Sequence, residues 1–151
     1  MNLDPSLKCI WLDDLDYGEV VRHWVVYAYD DSTKEPQIAA TARLTVHHSQ
    51  DISQPRDVTL WLNRGIPLSY PVCDMGRLVV HKQWRKRGIA NGLNRLRIEF
   101  ASREFGAKMI IATASQDNAR LLERIGFKDI GERVEFDDRP GIIFSALQLL
   151  L

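Results

Sequence analysis

Two cysteines in 151 residues, Cys9 and Cys73, are too few for a disulfide framework, and no Cys/His spacing completes a metal cluster around them. No apolar run approaches the roughly 18 residues of a membrane-span candidate. The opening residues, Met1-Asn2-Leu3-Asp4-Pro5, have no cationic patch ahead of an apolar stretch, so no signal peptide is expected. Repeats, low-complexity tracts and Pro/Gly/Ser-rich linkers are missing too. Net charge is also lacking, since 20 Lys and Arg balance 20 Asp and Glu. Nucleic-acid modules are more often basic overall. These absences exclude disulfide scaffolds, solenoids and membrane spans. They leave a cytoplasmic protein with no membrane and no nucleic-acid partner as the expectation.

What is present suits one domain over residues 1–151, a length that buries close to ~70% of the unfolded surface. Trp24-Val25-Val26-Tyr27-Ala28-Tyr29 is rich in β-formers and runs into the turn-like Asp30-Asp31-Ser32. Ile38, Ala40, Ala42, Leu44 and Val46 alternate with Ala39, Thr41, Arg43, Thr45 and His47, the period of a half-buried strand. The two segments read as an antiparallel pair. In 49–72, Pro55, Pro67 and Pro71 break up the apolar pieces, leaving one short element (around Val58–Leu62) in a long connection. Met75–Val80 reads as a strand followed by a basic loop. Ile89, Leu93, Leu96 and Phe100 recur at helical spacing before a capping Gly106. Met109-Ile110-Ile111-Ala112 reads as a strand covered on both faces. A second helix opens at Asp117 or Asn118, carries Leu121, Leu122 and Ile125 and closes at Gly126, and 127–136 and 142–150 supply two last strands. The fold class is α/β (α+β), a mixed and mostly antiparallel sheet flanked by helices.

The charge is unevenly placed. Seven basic residues and no acidic one lie between Arg77 and Arg97, while the first 38 residues lean acidic. A local basic cluster in a neutral chain suggests a compact polyanionic ligand. In Leu78-Val79-Val80-His81-Lys82-Gln83-Trp84-Arg85-Lys86-Arg87-Gly88-Ile89-Ala90, strand, basic loop and helix start adjoin. Unpaired N–H groups at a helix N-terminus make an anion site, and Gly88 leaves room for a phosphate to approach the backbone. Arg85, Lys86 and Arg87 add cations at the same point. A solvated basic turn before an ordinary helix is the plainer alternative.

Arg85, Gly88 and Ala90 occupy the three defined positions of a Gln/Arg-x-x-Gly-x-Gly/Ala pattern, and Leu122-Glu123-Arg124-Ile125-Gly126-Phe127 follows about 40 residues later. Over roughly residues 74–127 the chain resembles the Gcn5-related N-acetyltransferase (GNAT) superfamily. The resemblance implies transfer of an acyl group, most simply acetyl, from acetyl-CoA or another acyl-CoA co-substrate to the primary amine of a small molecule or peptide. It also implies that Leu78, Val79 and Val80 hold the pantetheine arm and that Arg85–Ala90 hold the diphosphate, and a homodimer would be in keeping with it. Two positions depart from the family pattern. Leu122 stands where a tyrosine often protonates the departing thiolate. Ser115 stands at the usual asparagine position, with Asn118 three residues on, and both are candidate carrier contacts.

A second likeness lies within the superfamily. Ala42-Arg43-Leu44, a long connection and Asp74-Met75-Gly76-Arg77-Leu78-Val79-Val80 resemble acyl-homoserine-lactone synthases and long-chain N-acyl amino acid synthases, which can draw acyl groups from acyl carrier protein. The acetyl reading predicts that acetyl- or propionyl-CoA serves at least as well as octanoyl-CoA. The synthase reading predicts affinity climbing with chain length. A carrier-binding regulator without catalysis and a nucleic-acid module are the readings from other classes.

A protonated amine with pKa about 10.4 costs about 4.6 kcal/mol to free at pH 7, so a general base is expected. Asp74 aligns with a glutamate base of some family members and is the catalytic candidate; its other reading is an exposed carboxylate paired with Arg77. His81 is a second candidate, displaced toward the phosphate loop. His47-His48 is not expected to bind metal, because adjacent strand residues face opposite ways. Cys73 lacks an activating histidine, and Trp24, Trp61 and Trp84 read as packing residues. Acceptor contacts are expected from 14–23, 58–72 and 134–142.

Overall fold

The computed structural model describes residues 21–29, 32, 34–49, 58–137 and 139–151. Cys9, the acidic positions before Val21, the Asp30-Asp31 turn, Pro55 and the stretch 14–20 lie outside the described residues.

The alternating segments form β1 (Val21–Tyr29) and β2 (Pro36–His47), paired antiparallel. The long connection contains one short helix, α1 (Val58–Asn63). Then come β3 (Val72–Val80), a 3-10 turn at Lys82–Trp84 and α2 (Ile89–Phe105). They are followed by β4 (Met109–Ser115), α3 (Gln116–Arg124), β5 (Lys128–Glu135) and β6 (Ile143–Leu150). The six strands form one sheet in the order β1-β2-β3-β4-β6-β5; β3 and β4 are parallel and every other pair is antiparallel.

Strand alternation divides the core between the two faces of this sheet. Leu44, Val46, Cys73, Met75 and Ile110 meet Ala101 of α2 and Ala119 and Leu122 of α3. On the other face Val72, Met109, Ile111 and Ala146 pack against Trp61 of α1. Trp61 is fully buried, and its indole N–H donates to Gln148 Oε1 at 2.9 Å. The apolar run of β4 is thus covered on both sides, as its lack of alternation predicted.

α2 departs from its expected apolar row. Leu96 is 43% exposed, whereas Arg97, counted among the ligand-facing cations, is 1% exposed. The row that meets the sheet is Leu93, Arg97 and Ala101, at i, i+4 and i+8, with Asn94 beside it. α3 begins at Gln116 with Ser115 as its N-cap, one or two residues ahead of the expected start at Asp117 or Asn118.

A second irregularity sits where β2 meets β3. Thr41 pairs with Val79 and Arg43 with Gly76, so Arg77 and Leu78 together oppose Ala42. Arg77 takes the left-handed conformation, φ 54°. This is a β-bulge, which bends the strand and increases its twist.

His47 is buried at the far end of β2, and desolvation, aided by His48 and Arg43, holds its imidazole below the ordinary value. The unfolded chain therefore binds a proton that the native state refuses. The stability this group contributes is complete above pH about 6.5 and is lost as pH falls through the lowered native value. Between pH 7 and 5 the melting temperature should fall further in wild type than in His47→Gln; parallel melting curves would remove His47 from the acid response.

Candidate active site

β3 and β4 run together only from Val72–Met109 to Met75–Ala112. Beyond that step β3 continues to Val80, and β4 continues to Ser115 paired with β6 alone. The bulge at Arg77 lies just past the last shared pair and turns β3 away from its neighbour. Main-chain groups of Arg77–Val80 therefore border an open gap. A cavity of about 1290 Å³ occupies it, bordered by Leu78, Val79 and Val80.

One wall is the basic loop. His81 N–H donates to Ala39 O at 2.8 Å and Trp84 N–H to His81 O at 2.8 Å, which folds the chain back after the strand. Arg85 Nε then donates to Val80 O at 3.1 Å. Lys86 (φ 61°) and Gly88 (φ 81°) are both left-handed, a conformation natural to glycine and costly for other residues. Gly88 caps α2 without a side chain, and a Cβ built on it meets nothing within 4 Å, so the space above it is open. The opposite wall is the start of α3, with Ser115, Asp117, Asn118 and Leu121. Two helix N-termini thus border one cavity, each with unpaired N–H groups and partial positive charge.

Of the residues the sequence singled out for the carrier, Leu78, Val79, Val80, Arg85, Lys86, Gly88, Ile89, Ala90, Ser115 and Asn118 line this cavity. Arg87 does not; its guanidinium lies 4.7 Å from the Trp84 ring centre. Asp74 is not among the lining residues either and is 3% exposed, which contradicts the reading of an exposed carboxylate. His81 is outside the lining, and its Nδ1 accepts from Gln83 N–H at 3.4 Å. Cys73 is fully buried, and burial, reinforced by Asp74, pushes its thiol up to about 12, far from a reactive thiolate. Among the described residues no three His, Cys, Asp or Glu side chains gather as metal ligands.

His23 and Arg139 line the cavity and were not singled out individually; Arg77, named only as a partner for Asp74, lines it too. His23 and Arg139 lie in two of the three segments expected to meet the acceptor. Sheet register locates His23: it pairs with Arg43, and Arg43 with Gly76, so the imidazole belongs to the row where β3 departs from β4. Arg139 comes from the β5–β6 connection, where its N–H donates to Phe136 O at 2.8 Å and its guanidinium lies 5.9 Å from the Phe144 ring centre. No periodicity marks a loop arginine, so only location in the chain could have suggested it.

A sheet parted at its central parallel pair, with a bulged strand and a helix N-terminus at the gap, is the GNAT fold that the motifs led one to expect. Solved structures agree on the fold. Escherichia coli ElaA aligns at TM-score 0.59 and 16% identity over 90% of this chain and 72% of that one. The NatC complex bound to Gag peptide and CoA aligns at 0.56 and 19%, over 83% and 69%. Vibrio cholerae spermidine N-acetyltransferase with CoA and spermine aligns at 0.56 and 14%, over 87% and 66%. No match was found among curated proteins. The family model for N-acyl amino acid synthase FeeM matches residues 5–142, so the chain belongs to that family and is an N-acyltransferase. The match falls in the branch that Arg43 and Asp74–Val80 resembled.

Proposed function

We propose that the enzyme, as one domain over residues 1–151, transfers an acyl group from a phosphate-bearing thioester such as acyl-CoA to the amine of an amino acid. The observation that carries this reading is the single cavity in which the free edge of β3 meets two helix N-termini. The family description supports an amino acid acceptor, and the CoA held by the NatC and spermidine acetyltransferase structures supports the donor.

In this arrangement the N–H groups at Gly88–Asn91, with Lys86 and Arg85, hold phosphate. The Arg77–Val80 edge hydrogen-bonds the carrier arm in the manner of an added strand. The amine nitrogen attacks the thioester carbonyl carbon, the C–N bond forms, and the C–S bond breaks with its electron pair leaving on sulfur. His23 takes the ammonium proton, being the imidazole that lines the cavity in the row of Gly76. Leu122 is fully buried in the α3 core and offers no proton, so sulfur leaves as thiolate, tolerable at a thiol pKa of about 8.5. Arg77 and Arg139 place positive charge where the acceptor carboxylate enters.

Incubation with acyl-CoA and a panel of amino acids, each beside its carboxamide, tests the reading. N-acylated amino acids should form, with the carboxamides at least tenfold poorer. Equal use of both would discard recognition of the carboxylate, and the absence of any acylated amine would discard the function. Gly88→Val tests the donor site. A branched side chain at φ 81° is strained and stands where phosphate approaches, so CoA affinity should fall at least tenfold, or about 1.4 kcal/mol. A folded variant with unchanged affinity would remove the loop from the site.

A further inference from the structure

Arg97 is a charged side chain in the middle of α2, buried against the sheet. Its Nη1 donates to Arg43 O at 2.9 Å and Gly76 O at 3.1 Å, one carbonyl from each strand flanking the bulge. Its Nη2 donates to Asn94 Oδ1 at 2.7 Å, and Nε reaches back to Leu93 O at 3.3 Å. Asn94, fully buried, donates from Nδ2 to Asn118 Oδ1 at 3.0 Å. Asn118 lies in the first turn of α3 and lines the cavity. One guanidinium therefore ties the bulge in β3, the helix behind the phosphate loop and the wall made by α3.

Stability is a poor reason for this arrangement. A buried ionic group can often be replaced by a well-packed apolar one at no loss, since desolvation offsets much of the attraction. The guanidinium supplies what an apolar side chain could not. At the bulge the regular β2–β3 ladder is interrupted, and carbonyls of Arg43 and Gly76 converge on one donor from α2. Buried carbonyls without such a donor would be costly. A trans peptide is planar, with its N–H opposed to its C=O. Holding Gly76 O on the guanidinium therefore directs the Arg77 N–H away from it, in the residue that borders the gap. The left-handed backbone of Arg77, which an arginine adopts only under constraint, is fixed by the same contact.

We infer that Arg97 is a positioning residue for acyl transfer, setting the Gly76–Arg77 peptide against which the donor thioester lies and locking the α2 and α3 walls at the separation the donor needs. The inference rests on the proposed donor site. Its consequence is a division of effects: Arg97 should govern turnover and the local mobility of the bulge more than donor affinity, which belongs to the loop at Lys86–Ala90.

Arg97→Lys keeps the charge but cannot donate in the planar fork that meets all four acceptors. In the folded variant, kcat for the best amino acid should fall at least tenfold while the CoA dissociation constant stays within threefold. Amide hydrogen exchange at Gly76, Arg77 and Leu78 should accelerate at least tenfold, with exchange in β4 and β6 unchanged. Arg97→Ala should regain at least fivefold in kcat with millimolar guanidinium chloride and nothing with equal sodium chloride. If Arg97→Ala does not fold, Asn94→Ala, which severs the link to α3 and removes one of the four acceptors of Arg97 while leaving both strand carbonyls on it, should lower kcat with CoA affinity retained. A folded Arg97→Lys enzyme with wild-type kcat and wild-type exchange at the bulge would overturn the inference and leave the proposed function standing. A wild type that acylates no amino acid would overturn the function, and with it the role given to Arg97.

Discussion

Asp74→Asn is expected to lower the melting temperature by roughly 6 °C or more while the folded variant keeps most of its turnover. Asp74 is buried outside the cavity lining, so an acceptor amine held in the cavity does not meet its carboxylate. Its charge is felt by buried Arg97 and by Cys73. Burial brings that guanidinium down to about 10, and Asp74 opposes the shift. Asp74 is 3% exposed, and changing a buried charged group that its surroundings compensate typically costs about 3–5 kcal/mol. Each kcal/mol lowers the melting temperature by about 2–4 °C in a chain of this size. His23→Gln supplies the contrast: turnover should fall about 10²-fold, with melting temperature and CoA affinity nearly unchanged. Thermal denaturation and steady-state kinetics on both variants decide the matter. A folded Asp74→Asn enzyme that is 10²-fold slower, beside an unaffected His23→Gln, would return the base to Asp74.

The contrast between Asp74 and His23 also shows what the sequence could reveal. That Arg85, Gly88 and Ala90 would share one wall of the cavity was legible because a loop leading into a helix start brings residues at this spacing together. The strands and helices followed from periodicities of two and of three to four, and β4 from its unbroken apolar run. Arg97 was misread because a basic residue inside a basic stretch is counted with the cluster that meets the ligand. Only the pairing of β2 with β3 discloses the two carbonyls waiting for it. Leu96 was misread for the complementary reason: spacings of three and four allow two adjacent rows on a helix, and the sheet selects one. Asp74 was read as lying just ahead of a Met75–Val80 strand, whereas β3 begins at Val72 and takes Asp74 in at a buried position, which no alternation in so short a run could disclose. His23 and Arg139 join the site only through sheet register and a loop closure, neither of which is local in sequence.

The acyl chain is the remaining choice between the two branches, and octanoyl-CoA is expected to exceed acetyl-CoA by at least tenfold in kcat/KM. Membership of the N-acyl amino acid synthase family moves the reading away from the acetyl expectation drawn from the phosphate loop. The cavity is compatible with that shift. Leu78, Val79, Val80, Ile89 and Leu121 give much of it an apolar lining. Each CH₂ taken from water into such a wall contributes about 0.8 kcal/mol, and six separate the two donors. Burial of only two of them would give about 1.6 kcal/mol, more than the 1.4 kcal/mol that tenfold requires. The series acetyl, butyryl, hexanoyl, octanoyl, dodecanoyl should therefore climb and then level where the apolar wall ends. The clustered cations could meet either the phosphates of CoA or the acidic surface of a carrier protein, so the same series on acyl carrier protein locates the natural donor. A flat series, with acetyl-CoA as good as octanoyl-CoA, would restore the acetyl reading and confine the apolar wall to holding the carrier arm.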